Sequence, residues 1–153
     1  MEEIIHSRSI ADVYNFINAG KPPHPLITVI RKWPETKQNL TPLKFTSDLY
    51  YIAMKRDIRG SFQYGRNAYD YREGAMIFMS PGQVATFNAP QAQSESDNWT
   101  ILFHPDLIRK SELGKKITEY SFFSYDTSEA LHLSDKERGF LNTLVDTIEQ
   151  EIH

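Results

Sequence analysis

Residues 74–87 read Gly-Ala-Met-Ile-Phe-Met-Ser-Pro-Gly-Gln-Val-Ala-Thr-Phe, two short apolar runs on either side of a Pro-Gly pair. Proline fixes φ and glycine accepts backbone angles that other residues avoid, so the pair predicts a tight reversal. Each apolar run is too short for a stable helix and suits a strand. The local expectation is therefore strands near 75–79 and 83–88, joined as a hairpin in a β-rich domain.

The flanking chain repeats this pattern of short strands and turns. Ser9 and Asp12 form a helix-capping signature, and Ile10, Val13, Tyr14 and Ile17 follow at helical spacing. Asn18-Ala19-Gly20 and the prolines at 22, 23 and 25 stop that helix. Leu26 to Ile30 reads as a strand, and residues 33–47, with two prolines, as a loop or irregular edge. Further strands are expected over 48–55 and 61–66, a turn at 57–60, another turn at Asn67-Ala68, and strands from Tyr69 and over 99–103. Residues 89–98 read as a surface loop. Pro105 suits the first turn of a helix, and helical spacing extends through Leu113, Ile117 and Tyr120. An aromatic turn at 122–125 and a short extended piece at 130–133 follow. Ser134-Asp135-Lys136-Glu137 is a capping box. Beyond it Phe140, Leu141, Leu144, Val145, Ile148 and Ile152 form an apolar stripe. This order of elements predicts a mainly β domain, a small barrel or sandwich, with an α-helical C-terminal appendage.

At 153 residues the chain is one domain's worth, and 40% hydrophobic with 24% charged residues fits a soluble globular composition. The net charge of −3 argues against a stand-alone nucleic-acid binder. With no cysteine there is no disulfide framework, thiolate chemistry or Cys-based zinc site, and a reducing compartment is compatible. The N-terminus lacks a signal-peptide pattern and no apolar run is long enough to span a membrane, so the expectation is a cytoplasmic protein.

Catalytic signatures are missing from the chain. There is no Gly-x-Ser-x-Gly elbow and no glycine-rich phosphate loop. The five histidines, His6, His24, His104, His132 and His153, have no short ligand spacing. His104 either hydrogen-bonds the turn after it or offers a polar contact at a cavity rim. Alternation places Tyr50, Ile52 and Met54 on one strand face, Phe62, Tyr64 and Arg66 on a second, and Trp99, Ile101 and Phe103 on a third. If these faces converge, Tyr50, Met54, Phe62, Tyr64, Arg66 and Trp99 are the candidate lining of a small-molecule site; the other reading is a packed core with Arg66 at its mouth. The C-terminal stripe also has two uses. It covers the domain or pairs with a second subunit, with Phe140, Leu144 and Ile148 on one side and Leu141, Val145 and Ile152 on the other. Phe140, Leu141, Leu144, Val145 and Ile148 are accordingly the candidate dimer interface.

The run Tyr64-Gly65-Arg66 through Tyr69-Asp70-Tyr71-Arg72-Glu73-Gly74 to Ser80-Pro81-Gly82-Gln83 resembles the core of a cupin domain. Together with Leu102-Phe103-His104-Pro105-Asp106-Leu107-Ile108, Gly114-Lys115-Lys116-Ile117, residues 120–125 and residues 129–134, the chain is similar to the N-terminal, effector-sensing domain of AraC-type bacterial transcription regulators. The resemblance implies a cupin-like double-stranded β-helix (jelly-roll) barrel over 1–133, with an N-terminal helix and a helical insertion near 105–120. It implies a C-terminal helix over 134–153 that dimerises, and a helix-turn-helix DNA-binding domain lying beyond residue 153. The metal-binding members carry a His-x-His pair where this chain has Phe62-Gln63-Tyr64, and a histidine after Pro-x-Gly where it has Val84-Ala85-Thr86. No metal, cofactor or catalytic residue is therefore expected.

The leading functional expectation is the small-molecule-sensing and dimerisation domain of an AraC-type regulator, a homodimer with an unknown effector. DNA would be contacted only through the further domain. The alternatives are a metal-independent cupin enzyme and a purely structural dimerisation barrel.

Overall fold

The computed structural model describes residues 4–31, 43–55, 61–64, 67–70, 75–87, 99–120, 123 and 134–153. Strand β1 (Ile4–Ser7) leads into helix α1 (Ile10–Phe16), then β2 (Ile27–Ile30), β3 (Leu43–Ser47), β4 (Tyr50–Lys55), β5 (Ser61–Tyr64) and β6 (Asn67–Asp70). Next come β7 (Ala75–Met79), β8 (Val84–Phe87), β9 (Trp99–Phe103), α2 (Glu112–Lys116) and α3 (Asp135–Ile152), with single 3-10 turns at Pro105–Leu107 and Ile117–Glu119.

The caps act as their chemistry requires. The Ser9 hydroxyl accepts from the Asp12 amide at the start of α1. At α3 the Ser134 hydroxyl accepts from the Glu137 amide while the Glu137 carboxylate accepts from the Ser134 amide, satisfying two otherwise orphaned donors. Those hydrogen bonds, from the Ser134 backbone first, hold the Glu137 carboxyl below its ordinary pKa. Past α1 the chain turns through left-handed angles at Asn18 and Gly20, which ends the helix where the sequence predicted.

The described strands form two open sheets and not a barrel. One has five strands in the order β1-β3-β8-β5-β6 and the other four in the order β2-β9-β4-β7. β1 and β3 run parallel; every other pairing is antiparallel. Neither order returns to its starting strand, so the cupin-like double-stranded β-helix is corrected to a mixed α/β fold with two small sheets. The turn at Ser80-Pro81-Gly82-Gln83 shows why. It is not the closing turn of a hairpin, because β7 pairs with β4 in one sheet and β8 with β3 and β5 in the other. Gly82, at φ 86°, donates its amide to the Ser47 carbonyl at 2.8 Å, and the chain crosses from sheet to sheet.

Other differences are smaller. Leu43–Ser47, expected within a loop or irregular edge, is the regular strand β3, paired on both sides in the five-stranded sheet, and Asn67-Ala68 belong to β6 instead of a turn. β1 joins the edge by parallel pairing that no local pattern announces. The expected turn at 57–60 and the loop at 89–98 lie outside the described residues, as do the extended piece at 130–133 and, apart from Phe123, the aromatic turn at 122–125.

Two clusters of buried residues set the layers. The first joins the sheets to each other and to α1: Phe45 and Ala85 from the five-stranded sheet, Tyr51, Ala53, Ile77, Met79 and Leu102 from the four-stranded one, and Ile10 and Val13 from α1. The second lies on the opposite side of the four-stranded sheet, beneath Ile117, Phe123 and α3. All five residues of β9 are buried, as expected of a strand covered on both faces.

Gly114 lets α2 fold back on the preceding turn. A Cβ there would sit 2.0 Å from the Ile108 carbonyl oxygen and 2.8 Å from its carbon, both backbone atoms that cannot rotate away. Gly114→Ala is expected to destabilise the protein by about 1–3 kcal/mol, the usual cost of overpacking. Urea denaturation against the parent measures it, and an unchanged midpoint would contradict the close approach.

Candidate functional site

The candidate site is the helix-facing side of the four-stranded sheet. Strand alternation sends Tyr50, Ile52 and Met54, Met76 and Phe78, and Trp99, Ile101 and Phe103 to that side. The register places Met54 directly across from Trp99 and Tyr50 across from Phe103. Tyr50 and Phe103 stack with ring centroids 5.1 Å apart and an interplanar angle of 21°. Phe123 stands edge-on to both Tyr50, at 5.3 Å, and Phe78, at 5.5 Å. These offset and edge contacts suit ring quadrupoles and hold the side chains in one arrangement.

The Ser-Pro-Gly-Gln turn positions Phe123. The Ser80 hydroxyl and the Gln83 amide both donate to the Phe123 carbonyl, at 3.3 and 2.8 Å, while the Gln83 side-chain oxygen accepts from the Ser80 amide. The crossing between sheets thereby also anchors Phe123 against the aromatic face. Burial pushes the Tyr50 phenol above its ordinary pKa, so it stays protonated at neutral pH.

α3 lies over this face. The Trp99 indole N–H donates to the Asn142 side-chain oxygen at 2.7 Å. The Arg31 guanidinium, just past β2, donates to Asp146 at 2.5 Å and Glu149 at 3.2 Å, one turn apart on α3. Val145 is fully buried, and Leu141 and Ile148 pack against the same cluster.

Of the expected ligand residues, the structure brings together Tyr50, Met54 and Trp99, all buried on this one face. Phe62 and Tyr64 lie on β5 in the other sheet, where Phe62 is in register with Phe87 and Tyr64 with Ala85. Arg66 is outside the described residues. The described strands form no barrel whose interior the other five could line.

Of the expected dimer residues, Leu141, Val145 and Ile148 face the sheet, whereas Phe140 and Leu144 are 67% and 45% exposed. Ile148 thus belongs with Leu141 and Val145 and not with the outward pair. The sidedness was ambiguous in the sequence because both sides of the stripe are apolar.

Sequence reasoning missed Arg31 and Asn142, the polar contacts from beneath and within α3. An asparagine inside an apolar helical stripe was the available signal. It also missed a polar seam between the sheets. Thr28 and Thr100 are fully buried in apolar strands. The Tyr14 hydroxyl bonds Thr28, and Thr100 bonds Tyr51. Burial drives the Tyr51 phenol far above its ordinary pKa, with the Thr100 bond opposing the shift.

No family model, curated protein or solved structure matches the chain. The site therefore has to be read from its own chemistry. It offers a large aromatic surface, one phenol and an indole N–H, with no nucleophile–base pair in the contacts described above. Among the described residues, no three or more of His, Cys, Asp or Glu gather where they could hold a metal ion. His104 fits the first of its two readings: its Nδ1 accepts from the Asp106 amide at 3.0 Å and caps the 3-10 turn that Pro105 begins. Among the described residues, no helix is long and apolar enough to cross a membrane.

Proposed function

We propose that this chain is the small-molecule-sensing and dimerisation part of a cytoplasmic transcription regulator of the AraC type, with DNA contacted by a separate domain. The observation that carries the reading is the two-sidedness of α3. Its inner side packs on the sheet face holding Tyr50, Met54 and Trp99, and its outer side presents Phe140 and Leu144 to solvent. An element touching a candidate ligand face and a candidate subunit surface at once is what coupling between them requires. The resemblance of the 102–134 segment to those regulators adds the DNA-binding context.

Because the aromatic face is filled by its own side chains, a purely structural dimerisation module is the second reading. Both predict a homodimer; only the first predicts an effector. A thermal-shift screen against small metabolites, paired with sedimentation, separates them. A ligand at about a hundred times its dissociation constant adds roughly 2.7 kcal/mol to a folded state it alone recognises. An effector that acts through α3 on the subunit contact must, by linkage, also change the dimer dissociation constant. A stabilising ligand that leaves dimerisation untouched would overturn the sensing link. A monomer at concentrations on the order of tens of micromolar, with its affinity therefore weaker than about −7 kcal/mol, would overturn both readings.

A further inference from the structure

α3 is long but shallowly seated. Of its eighteen residues only Val145 is fully buried, with Leu141, Ile148 and Ile152 the apolar side chains that are partly so. A helix held by apolar burial commonly commits three to four positions every two turns to the core. The remaining attachments described for α3 are polar. Asn142 accepts from Trp99, and Arg31 forks to Asp146 and Glu149 from a side chain 36% exposed, where salt reaches it. Beneath lies the reverse: Trp99 at 2% exposure and Met54 at 1%, with the stacked Tyr50 and Phe103 alongside. The four-stranded sheet does not need α3 for its own pairing, because its hydrogen-bonded neighbours are strands of the same sheet and its other face packs on the five-stranded sheet and α1.

We infer that α3 is a releasable strap, lifting from the aromatic face as a unit while both sheets stay folded, with Arg31 and the Trp99–Asn142 hydrogen bond setting how often it lifts. Segments held by few buried apolar contacts open below the cost of global unfolding. The inference concerns the attachment of α3 to its own sheet, and stands whether or not the protein senses a small molecule or controls transcription.

Trp99 is the natural reporter. The other tryptophan, Trp33, is outside the described residues and is replaced by phenylalanine, leaving Trp99 alone in a W33F background. Acrylamide quenching of Trp99 is read together with the far-ultraviolet signal of the sheets, over a protein-concentration series that separates release from association. Arg31→Ala is expected to raise the quenching constant roughly two- to fivefold, the weight of a part-exposed ion pair. Asn142→Ala, which strips the buried indole of its acceptor, is expected to raise it about tenfold. Both are expected to leave the sheet signal intact. Added salt is expected to move the W33F parent toward Arg31→Ala and to leave Arg31→Ala unchanged. Quenching that salt and both substitutions leave unaltered overturns the inference, as does quenching that rises only as the sheets unfold. Should either substitution prevent folding, the salt series on the W33F parent decides alone.

Discussion

Replacing Phe140 and Leu144 together by aspartate is expected to separate the subunits of the proposed homodimer while leaving the fold intact. Both side chains are on the exposed side of α3, one helical turn apart, so a carboxylate there is solvated in the monomer. Surface changes of this kind alter stability by about 0.5 kcal/mol or less. In a two-fold interface each residue occurs twice, and central apolar anchors cost about 2 kcal/mol or more apiece when truncated. The expected result is a dissociation constant weakened at least a hundredfold by sedimentation, a loss of about 2.7 kcal/mol. The melting temperature is to be compared at one low protein concentration, because dimerisation itself makes it concentration-dependent. Ile148→Asp is the informative contrast. Ile148 packs against the cluster under α3, so its replacement should lower stability and should not act through the interface alone. If Ile148→Asp dissociates the dimer at full stability, while the Phe140/Leu144 pair does nothing, the assignment of sides is reversed.

The second large effect belongs to Trp99. Among the described residues it is the largest fully buried side chain, it faces Met54 across the β4–β9 pairing, and its N–H is bonded to Asn142. Trp99→Ala is expected to cost about 3–5 kcal/mol, from lost burial and from a cavity between the sheet and α3. For a domain of this size that is a fall of roughly 6–20 °C in melting temperature. Trp99→Phe should recover most of the packing and leave the deficit of one hydrogen bond, about 1 kcal/mol. Equilibrium urea unfolding measures both. A Trp99→Ala protein within about 1 kcal/mol of the parent would mean that the aromatic face is not a core, and the candidate site would need a different location.

Local chemistry was readable in the sequence, and sheet membership was not. The Ser134 capping box and the Ser9 cap act within four residues of themselves, so helices α1 and α3 lie where their residues placed them. The strands at 75–79 and 99–103 were legible from apolar runs for the same reason. What joins them is not local. A Pro-Gly turn has the same residues whether it closes a hairpin or carries the chain to a second sheet, and only the partners of β7 and β8 separate the two cases. β3 was hidden because Leu43-Lys44-Phe45-Thr46-Ser47 is short, has only two apolar residues and follows Pro42. The clearest overlooked clue was β9. Trp-Thr-Ile-Leu-Phe is bulky on both faces, as suits a strand between two layers, whereas a stave with one solvated face would alternate. At the candidate site, Tyr50, Met54 and Trp99 shared a face by strand parity alone, but what covers that face depends on α3, whose closest described part is some thirty-five residues further along the chain.

The order of the four-stranded sheet carries a consequence for how the molecule is made. β9 occupies an inner place in it, flanked by β2 and β4, strands that precede it by dozens of residues. During synthesis β4 and β7 can pair early, but β2 has no place in that sheet until residues 99–103 have left the ribosome. Pairings this distant in sequence carry a loop-closure cost before they return any stabilisation, which slows folding. Until then Ile27, Val29 and the aromatic side of β4 lack their partners from β9, and the face they share stays uncovered until α3 follows, an interval in which exposed apolar surface favours aggregation of the nascent chain.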